Sequence, residues 1–181
     1  MKISSIIHIA DSINETYGHD LSSPAQLCRD LGIILLYFPM GYGKAACKGF
    51  ILHQADNTAI TISSDIDKTM QQIVLYHELA HYFLHIRTGI AETMQDFSVG
   101  SPASEMEYEA DMLAAELSLA DKDVMEALSS GLSFFDAAAS LNTLPEILDF
   151  KLRTMRERGY LIPDAPINTT SGFLGRVGTS A

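Results

Sequence analysis

The sequence predicts an α+β protein that is mainly helical, with a small sheet of about three strands packed on one central helix. Apolar residues recur at helical spacing over the longest periodic segments, which are residues 4–17, 67–87 and 103–119. Shorter runs rich in β-branched and aromatic residues, bounded by glycines or turn residues, lie at 33–38, 49–54 and 58–63. These patterns predict a sheet with two helices in the first half of the chain and a helical second half.

Composition limits the classes of function. The chain has 181 residues, of which 47% are hydrophobic and 19% charged, so it has enough apolar material for the core of one domain. Its 12 Lys and Arg against 23 Asp and Glu give a net charge of −11, which argues against direct binding of nucleic acid. Two cysteines are too few for a disulfide framework, and no apolar run suits a membrane span or an export signal. We therefore expect a cytoplasmic protein.

The first half of the chain carries clear start and stop signals. The first helix is expected to end at Gly18, since glycine readily adopts the left-handed conformation that terminates helices. Ser23 and Pro24 are typical of the cap and first turn of a second, short helix. The three strand candidates follow, with a turn at Asp56-Asn57 between the second and the third.

The second half is predicted to be helical, apart from a loop at 89–102. Beyond the two long helices, further helices are expected at 121–129, 132–140 and 145–158. The last stretch is rich in Gly, Ser, Thr and Pro and is expected to be flexible. The predicted organisation is a core, a helical extension packed on that core and a flexible tail, at 1–120, 121–163 and 164–181.

A metal-binding pattern lies in the central helix. His77-Glu78-Leu79-Ala80-His81 has the form H-E-x-x-H, and residues four apart on a helix project from nearly the same face. Both imidazoles can therefore reach one ion, and zinc suits neutral imidazole nitrogens. Glu78, next to the first histidine, is placed to accept a proton from the attacking water and to deliver it to a leaving amine.

A catalytic zinc site needs a third protein ligand. His85 lies four residues beyond His81 but eight beyond His77, which is about 12 Å along a helix axis. The first and the last of these histidines therefore cannot both bind one ion. We expect His85 to contact a ligand side chain or to have a structural role.

The next helix offers better candidates for the third ligand. Glu109 lies in an apolar stripe that is formed by Met106, Ala110, Leu113 and Leu117. A carboxylate on a core-facing stripe is costly unless it is paired or binds a cation, so Glu109 is the preferred ligand. Glu105, one turn earlier, is the alternative and otherwise supports the ligand. Glu107 and Asp111 fall on the other side of the helix and are expected to be ordinary solvated acids.

The two helices together carry a family resemblance. Residues 77–85 read H-E-L-A-H-Y-F-L-H, and residues 107–117 read E-Y-E-A-D-M-L-A-A-E-L. Both segments resemble the motifs of the ImmA/IrrE family of metallopeptidases, and a looser resemblance covers about residues 1–160. It implies a zinc site with His77, His81 and Glu109 as ligands and with Glu78 as general base. Ala80 stands where the family usually has glycine, which is a mild packing change.

The resemblance also implies an activity. It is that of a zinc metalloendopeptidase whose substrate is a helix-turn-helix transcriptional repressor of a phage, a mobile element or a stress regulon. The strand at Thr58–Ser63 is a candidate sheet edge for binding the substrate in extended form. The alternative, from a different class, is a non-proteolytic zinc-containing regulatory module that binds and sequesters a partner protein. The fourth position around the ion distinguishes the two, since a peptidase leaves it open.

Overall fold

The computed structural model describes residues 1–18, 23–43, 46–89, 93–94 and 102–174. It confirms the predicted α+β class. The helices are α1 (Ile3–Tyr17), α2 (Pro24–Asp30), α3 (Lys68–His81), α4 (Pro102–Ser118), α5 (Asp121–Ser129), α6 (Phe134–Ser140) and α7 (Pro145–Glu157). The strands are β1 (Ile34–Phe38), β2 (Gly49–Gln54), β3 (Asn57–Ser63) and β4 (Thr93–Met94).

The sheet has the strand order β1-β3-β2-β4. The strand β1 runs parallel to β3, whereas β2 is antiparallel to both β3 and β4. Three strands correspond to the predicted ones, and the two-residue β4 is an addition. The expectation that Thr58–Ser63 forms a substrate-binding edge is wrong, because β3 is hydrogen-bonded to a neighbouring strand on each side.

The central helix α3 packs on β2 and β3. Its start is fixed by Asp67, whose side chain accepts a hydrogen bond from the backbone N–H of Met70 at 2.9 Å, as an N-cap does. The Gln71 amide donates to the backbone oxygens of Ser63 and Ile66 at 3.1 and 3.2 Å. These bonds join the beginning of α3 to the end of β3, and every residue from 73 to 81 is buried.

A close approach between backbone and helix sets the distance between α3 and the sheet. A Cβ atom on Gly49, the first residue of β2, would lie 2.5 Å from Cγ1 of Val74 and 3.1 Å from Cδ1 of Ile62. Only glycine fits here without a shift of the neighbouring side chains.

The helix continues beyond His81 in a different form. Residues Tyr82–Ile86 make a π-helical turn, in which the N–H of Arg87 donates to the carbonyl of Tyr82 at 2.9 Å. The predicted single helix at 67–87 is therefore an α-helix followed by a wider turn. Such turns within helices are frequent at functional sites.

A cluster of ion pairs connects the first helix to the helices of the second half. The Lys151 ammonium, which is buried, lies 2.9 Å from Glu116 and 2.6 Å from Asp121. The Arg158 guanidinium bridges Glu116 and Asp11, at 2.7 and 2.8 Å. These residues come from α1, α4, α5 and the end of α7, so the cluster joins the predicted core to the predicted helical extension.

The sequence predicts a flexible tail at 164–181. Residues 164–174, the part of this tail that the structure describes, instead pack on the rest of the protein. The backbone N–H of Thr169 donates to buried Asp149 at 2.9 Å, and Arg153 donates to the carbonyl of Thr169 at 2.9 Å. The Phe173 ring is buried against Phe150, with 5.9 Å between centroids. This segment is therefore packed on α7, and residues 175–181 lie outside the described part of the chain.

The outer strand β1 exposes apolar side chains. Ile34, Leu36 and Phe38 alternate along it and are 52%, 50% and 64% exposed. Among the helices of the described ranges, none has the length and apolar character that crossing a membrane requires.

Candidate metal centre

Three buried side chains from α3 and α4 converge on one point. His77 and His81 lie one turn apart on α3, and their Nε2 atoms are 2.9 Å from each other. Glu107 of α4 faces both rings, with one carboxylate oxygen 3.2 Å from Nε2 of His77 and the other 3.2 Å from Nε2 of His81. The possible ligand atoms of the three residues all lie within 4.8 Å of one another.

A fourth buried residue contacts His77 at Nδ1, the ring nitrogen that faces away from His81 and Glu107. Asp111, one turn beyond Glu107 on α4, places Oδ1 2.9 Å from Nδ1 of His77. Burial lowers the pKa of His77, but the hydrogen bonds and negative charges of Asp111 and Glu107 outweigh it and raise this pKa well above its ordinary value. The two carboxylates therefore favour positive charge at His77.

The other two members of the cluster have shifted pKa values as well. Burial, with the neighbouring His77 acting in the same direction, lowers the pKa of His81 to about 4, although Glu107 opposes this shift. Burial alone would raise the pKa of Glu107, but hydrogen bonds from His77 and His81 hold it far below its ordinary range. At neutral pH the cluster thus presents an ionised carboxylate and an imidazole, His81, that stays neutral.

This donor set fits a divalent ion such as zinc. Two imidazole nitrogens and one carboxylate are the ligands of a common type of catalytic zinc site. Buried carboxylates are costly unless a cation or hydrogen bonds compensate them, and here two of them meet at His77. His77, His81 and Glu107 would hold such an ion, which would supply the positive charge that these groups favour.

The sequence-based choice of Glu109 as third ligand does not match this geometry. Glu109 points to His85, with Oε2 3.4 Å from its Nε2, and its Oε1 also contacts the N-terminal ammonium of Met1. Glu105 is exposed and lines, together with Glu109, a cleft of about 590 Å³. Neither carboxylate belongs to the cluster of His77 and His81.

The two residues that the sequence predicts to be solvated acids are buried instead. Glu107 is 4% exposed and Asp111 is 1% exposed. Consecutive residues on a helix are about 100° apart, so Glu107 and Glu109 project about 200° apart and cannot both face α3. The apolar stripe was a misleading guide because α4 is buried on nearly all sides, from Ala110 to Leu117.

Four-residue spacing does not by itself identify these residues in the sequence, because Glu105 and Glu109 share it. Glu107 and Asp111 have the same four-residue spacing as His77 and His81. Two helices that each carry a pair one turn apart can place four functional groups on facing sides.

The remaining candidates lie close to the cluster. Glu78 is buried on α3 between the two histidines. His85, in the π-helical turn, has Nδ1 3.0 Å from Nδ1 of His81 and is 1% exposed. Burial lowers the pKa of His85, an effect that Glu109 opposes.

Comparisons with known proteins show what this chain is similar to. The IrrE N-terminal-like domain family matches residues 28–153, a range that contains α3 and α4. A curated relative, "Metallopeptidase ImmA" of Bacillus subtilis (strain 168), is 30% identical over 149 residues, which are 81% of this chain and 83% of the relative. No solved structure matches the chain.

Proposed function

Because this chain belongs to the IrrE N-terminal-like family of metallopeptidases, we propose that it is a zinc-dependent endopeptidase whose substrate is a DNA-binding repressor. The observation that carries the proposal is the buried cluster of His77, His81 and Glu107, which brings suitable ligand atoms together beside Glu78. We assign these three residues as the metal ligands, and Glu107 takes the role that the sequence alone had given to Glu109.

The bound ion would supply Lewis acidity, which polarises a scissile carbonyl and lowers the pKa of a water to near neutrality. The protein provides the groups that hold the ligands and move the protons. Asp111 accepts a hydrogen bond from Nδ1–H of His77, so that Nε2 of this ring keeps its lone pair for the ion. Glu78 is the general base: its carboxylate accepts the proton of the attacking water and later delivers it to the leaving amine.

Charge supports the class of substrate. The chain has a net charge of −11, and DNA-binding repressors carry basic surfaces that contact phosphates. Long-range attraction between an acidic peptidase and a basic substrate speeds their encounter and weakens at high ionic strength. The same charge repels the DNA to which a repressor is bound, so we propose that the free repressor is the form that is cleaved.

The test compares wild-type protein with Glu78→Gln in cells, by identifying new protein N-termini. The substitution keeps the side chain's volume but removes the proton acceptor, and loss of a general base typically lowers a rate by about 10²–10⁴-fold. We expect new N-termini within a helix-turn-helix repressor in cells that express the wild type, and none above background with Glu78→Gln. Glu126→Gln, an exposed position on α5, is the matched control and should behave as the wild type does.

The other outcomes are equally informative. Equal cleavage by wild type and Glu78→Gln would exclude Glu78 as the base. If neither form produces new N-termini and both release the repressed genes equally, the protein acts by binding, as the non-proteolytic alternative requires.

A further inference from the structure

The two candidate ligand histidines are supported in different ways, and this difference leads to a further inference. Nδ1 of His77 contacts a carboxylate directly, namely Asp111 at 2.9 Å. Nδ1 of His81 instead contacts Nδ1 of His85 at 3.0 Å, and Nε2 of His85 lies 3.4 Å from Glu109. We propose that His85 and Glu109 form a relay of two positioning residues that fixes the orientation and the tautomer of His81. This inference rests on the metal site of the proposed function.

The order of hydrogen bonds in the relay follows from the chemistry of imidazole. A neutral imidazole has one N–H donor and one acceptor nitrogen. To bind an ion through Nε2, His81 must carry its proton on Nδ1, which then donates to Nδ1 of His85. His85 must accept on Nδ1, so its own proton lies on Nε2 and is donated to the carboxylate of Glu109. Glu109 thus selects the tautomer of His85, and His85 selects that of His81.

The opposite arrangement would exclude metal binding. If His85 donated from Nδ1, then Nδ1 of His81 would have to accept, and the proton of His81 would lie on Nε2. That proton would occupy the position where the ion binds, between His77 and Glu107. An acceptor at Nε2 of His85, here the Glu109 carboxylate, therefore favours the tautomer of His81 that can bind metal.

The fold holds His85 in the position that the relay needs. His85 belongs to the π-helical turn that follows α3, and its side chain is 1% exposed. Thr88 closes this turn by donating its hydroxyl to the backbone oxygens of Leu84 and His85 at 2.7 and 3.2 Å. The Glu109 side chain is less enclosed, with 14% of its surface exposed. Substitution of a residue that hydrogen-bonds to a metal ligand typically lowers metal affinity by about 10–100-fold.

The relay is tested by zinc affinity, measured in competition with a chromophoric chelator, on the purified full chain. We expect Glu109→Ala and His85→Leu each to weaken zinc binding by roughly 10–100-fold. His85→Gln should retain part of the affinity, because its amide oxygen can still accept a hydrogen bond from His81. The control is Glu105→Ala, which removes a carboxylate one turn earlier on α4 and should leave the affinity unchanged.

A double variant separates a relay from two independent effects. If Glu109 acts only through His85, adding Glu109→Ala to His85→Leu should cause no further loss of affinity. The absorption bands of bound Co²⁺ should also shift in Glu109→Ala, since they report the orientation of the ligands. Chemical unfolding of the metal-free forms shows whether a variant has merely lost stability.

The outcomes decide between this inference and the metal site itself. Full zinc affinity and an unchanged Co²⁺ spectrum in a folded Glu109→Ala protein would overturn the relay alone. Additive losses in the double variant, or losses that match a drop in metal-free stability, would do the same. Absence of tight zinc binding by the wild-type chain would overturn the metal site, and the relay with it.

Discussion

Glu107 faces both histidine rings of α3 from the opposite helix, with one oxygen 3.2 Å from each Nε2 atom. Burial opposes ionisation of Glu107, but the hydrogen bonds from both rings outweigh burial and hold the pKa of this carboxyl far below its ordinary range. A group with such a strong preference for its ionised form is available as a ligand throughout the neutral range.

The first prediction concerns the proposed role of Glu107 as a metal ligand. Glu107→Gln keeps the volume of the side chain but removes its charge, so we expect zinc affinity to fall by more than the roughly 100-fold that is typical of residues behind a ligand. Chelator competition measures the loss, with Glu109→Gln as the comparison and Glu126→Gln as the unchanged control. A larger loss in Glu109→Gln than in Glu107→Gln would show that α4 presents Glu109 to the ion.

Residue-level inference from the sequence succeeded where spacing carried the information. The spacing of His77 and His81 predicted two side chains on one face of a helix, and the structure brings these side chains together. The preferred carboxylate of α4, Glu109, is not the one that clusters with these histidines, because the choice depended on an apolar stripe. A helix that is buried on nearly all sides has no exposed face against which a stripe could be defined.

At the level of elements, the sequence located the helices and the main strands closely. The strand β2 and the helix α5 have the predicted bounds. The π-helical turn at Tyr82–Ile86 was not predictable, because apolar periodicity does not distinguish hydrogen bonds to the fourth from those to the fifth preceding residue. The polar composition of residues 164–181 likewise predicts a flexible tail, whereas Phe173 and Leu174 are buried.

The second prediction concerns the contact between α3 and the sheet. Gly49→Ala should destabilise the protein by about 1–3 kcal/mol, because the new methyl group overpacks against Val74, whose β-branched side chain has little freedom to move. Urea unfolding followed by far-ultraviolet circular dichroism measures this loss, which suits a chain without tryptophan.

A double variant provides the control for this contact. In Val74→Ala the space beside Gly49 is larger, so Gly49→Ala should cost little more in that background. If the two losses simply add, the distance between β2 and α3 is not set by this pair.

For the whole molecule, the cluster of ion pairs around Lys151 makes the predicted core and the predicted helical extension interdependent. Glu116 of α4 is shared by Lys151 and Arg158, and Arg158 also holds Asp11 of α1. Helix α4 carries Glu116 of this cluster near its C-terminal end and Glu107 of the candidate metal centre nearer its N-terminal end. The second-half helices therefore support the element that presents Glu107.

The third prediction follows from this cluster. Lys151→Met should destabilise the protein by about 1–3 kcal/mol, since Asp121 loses its close cation and buried Glu116 keeps Arg158 but loses one of its two cations. In a Glu116→Gln background Lys151→Met should cost less than in the wild type, because the neutral amide no longer pairs with the Lys151 cation. Unfolding midpoints in urea measure both effects, and a Lys151→Met protein as stable as the wild type would contradict the prediction.

The apolar face of β1 has a consequence for how the protein behaves in concentrated solution. An edge strand that exposes Ile34, Leu36 and Phe38 favours self-association through strand pairing. Electrostatic repulsion between molecules of net charge −11 opposes this self-association. Screening shortens the reach of that repulsion from about 10 Å at 0.1 M salt to about 3 Å at 1 M. Light scattering should therefore rise with salt and also near pH 4.8, where the net charge vanishes. Colloidal stability is thus greatest in dilute buffer well above that pH, and Phe38→Lys should extend it to higher salt.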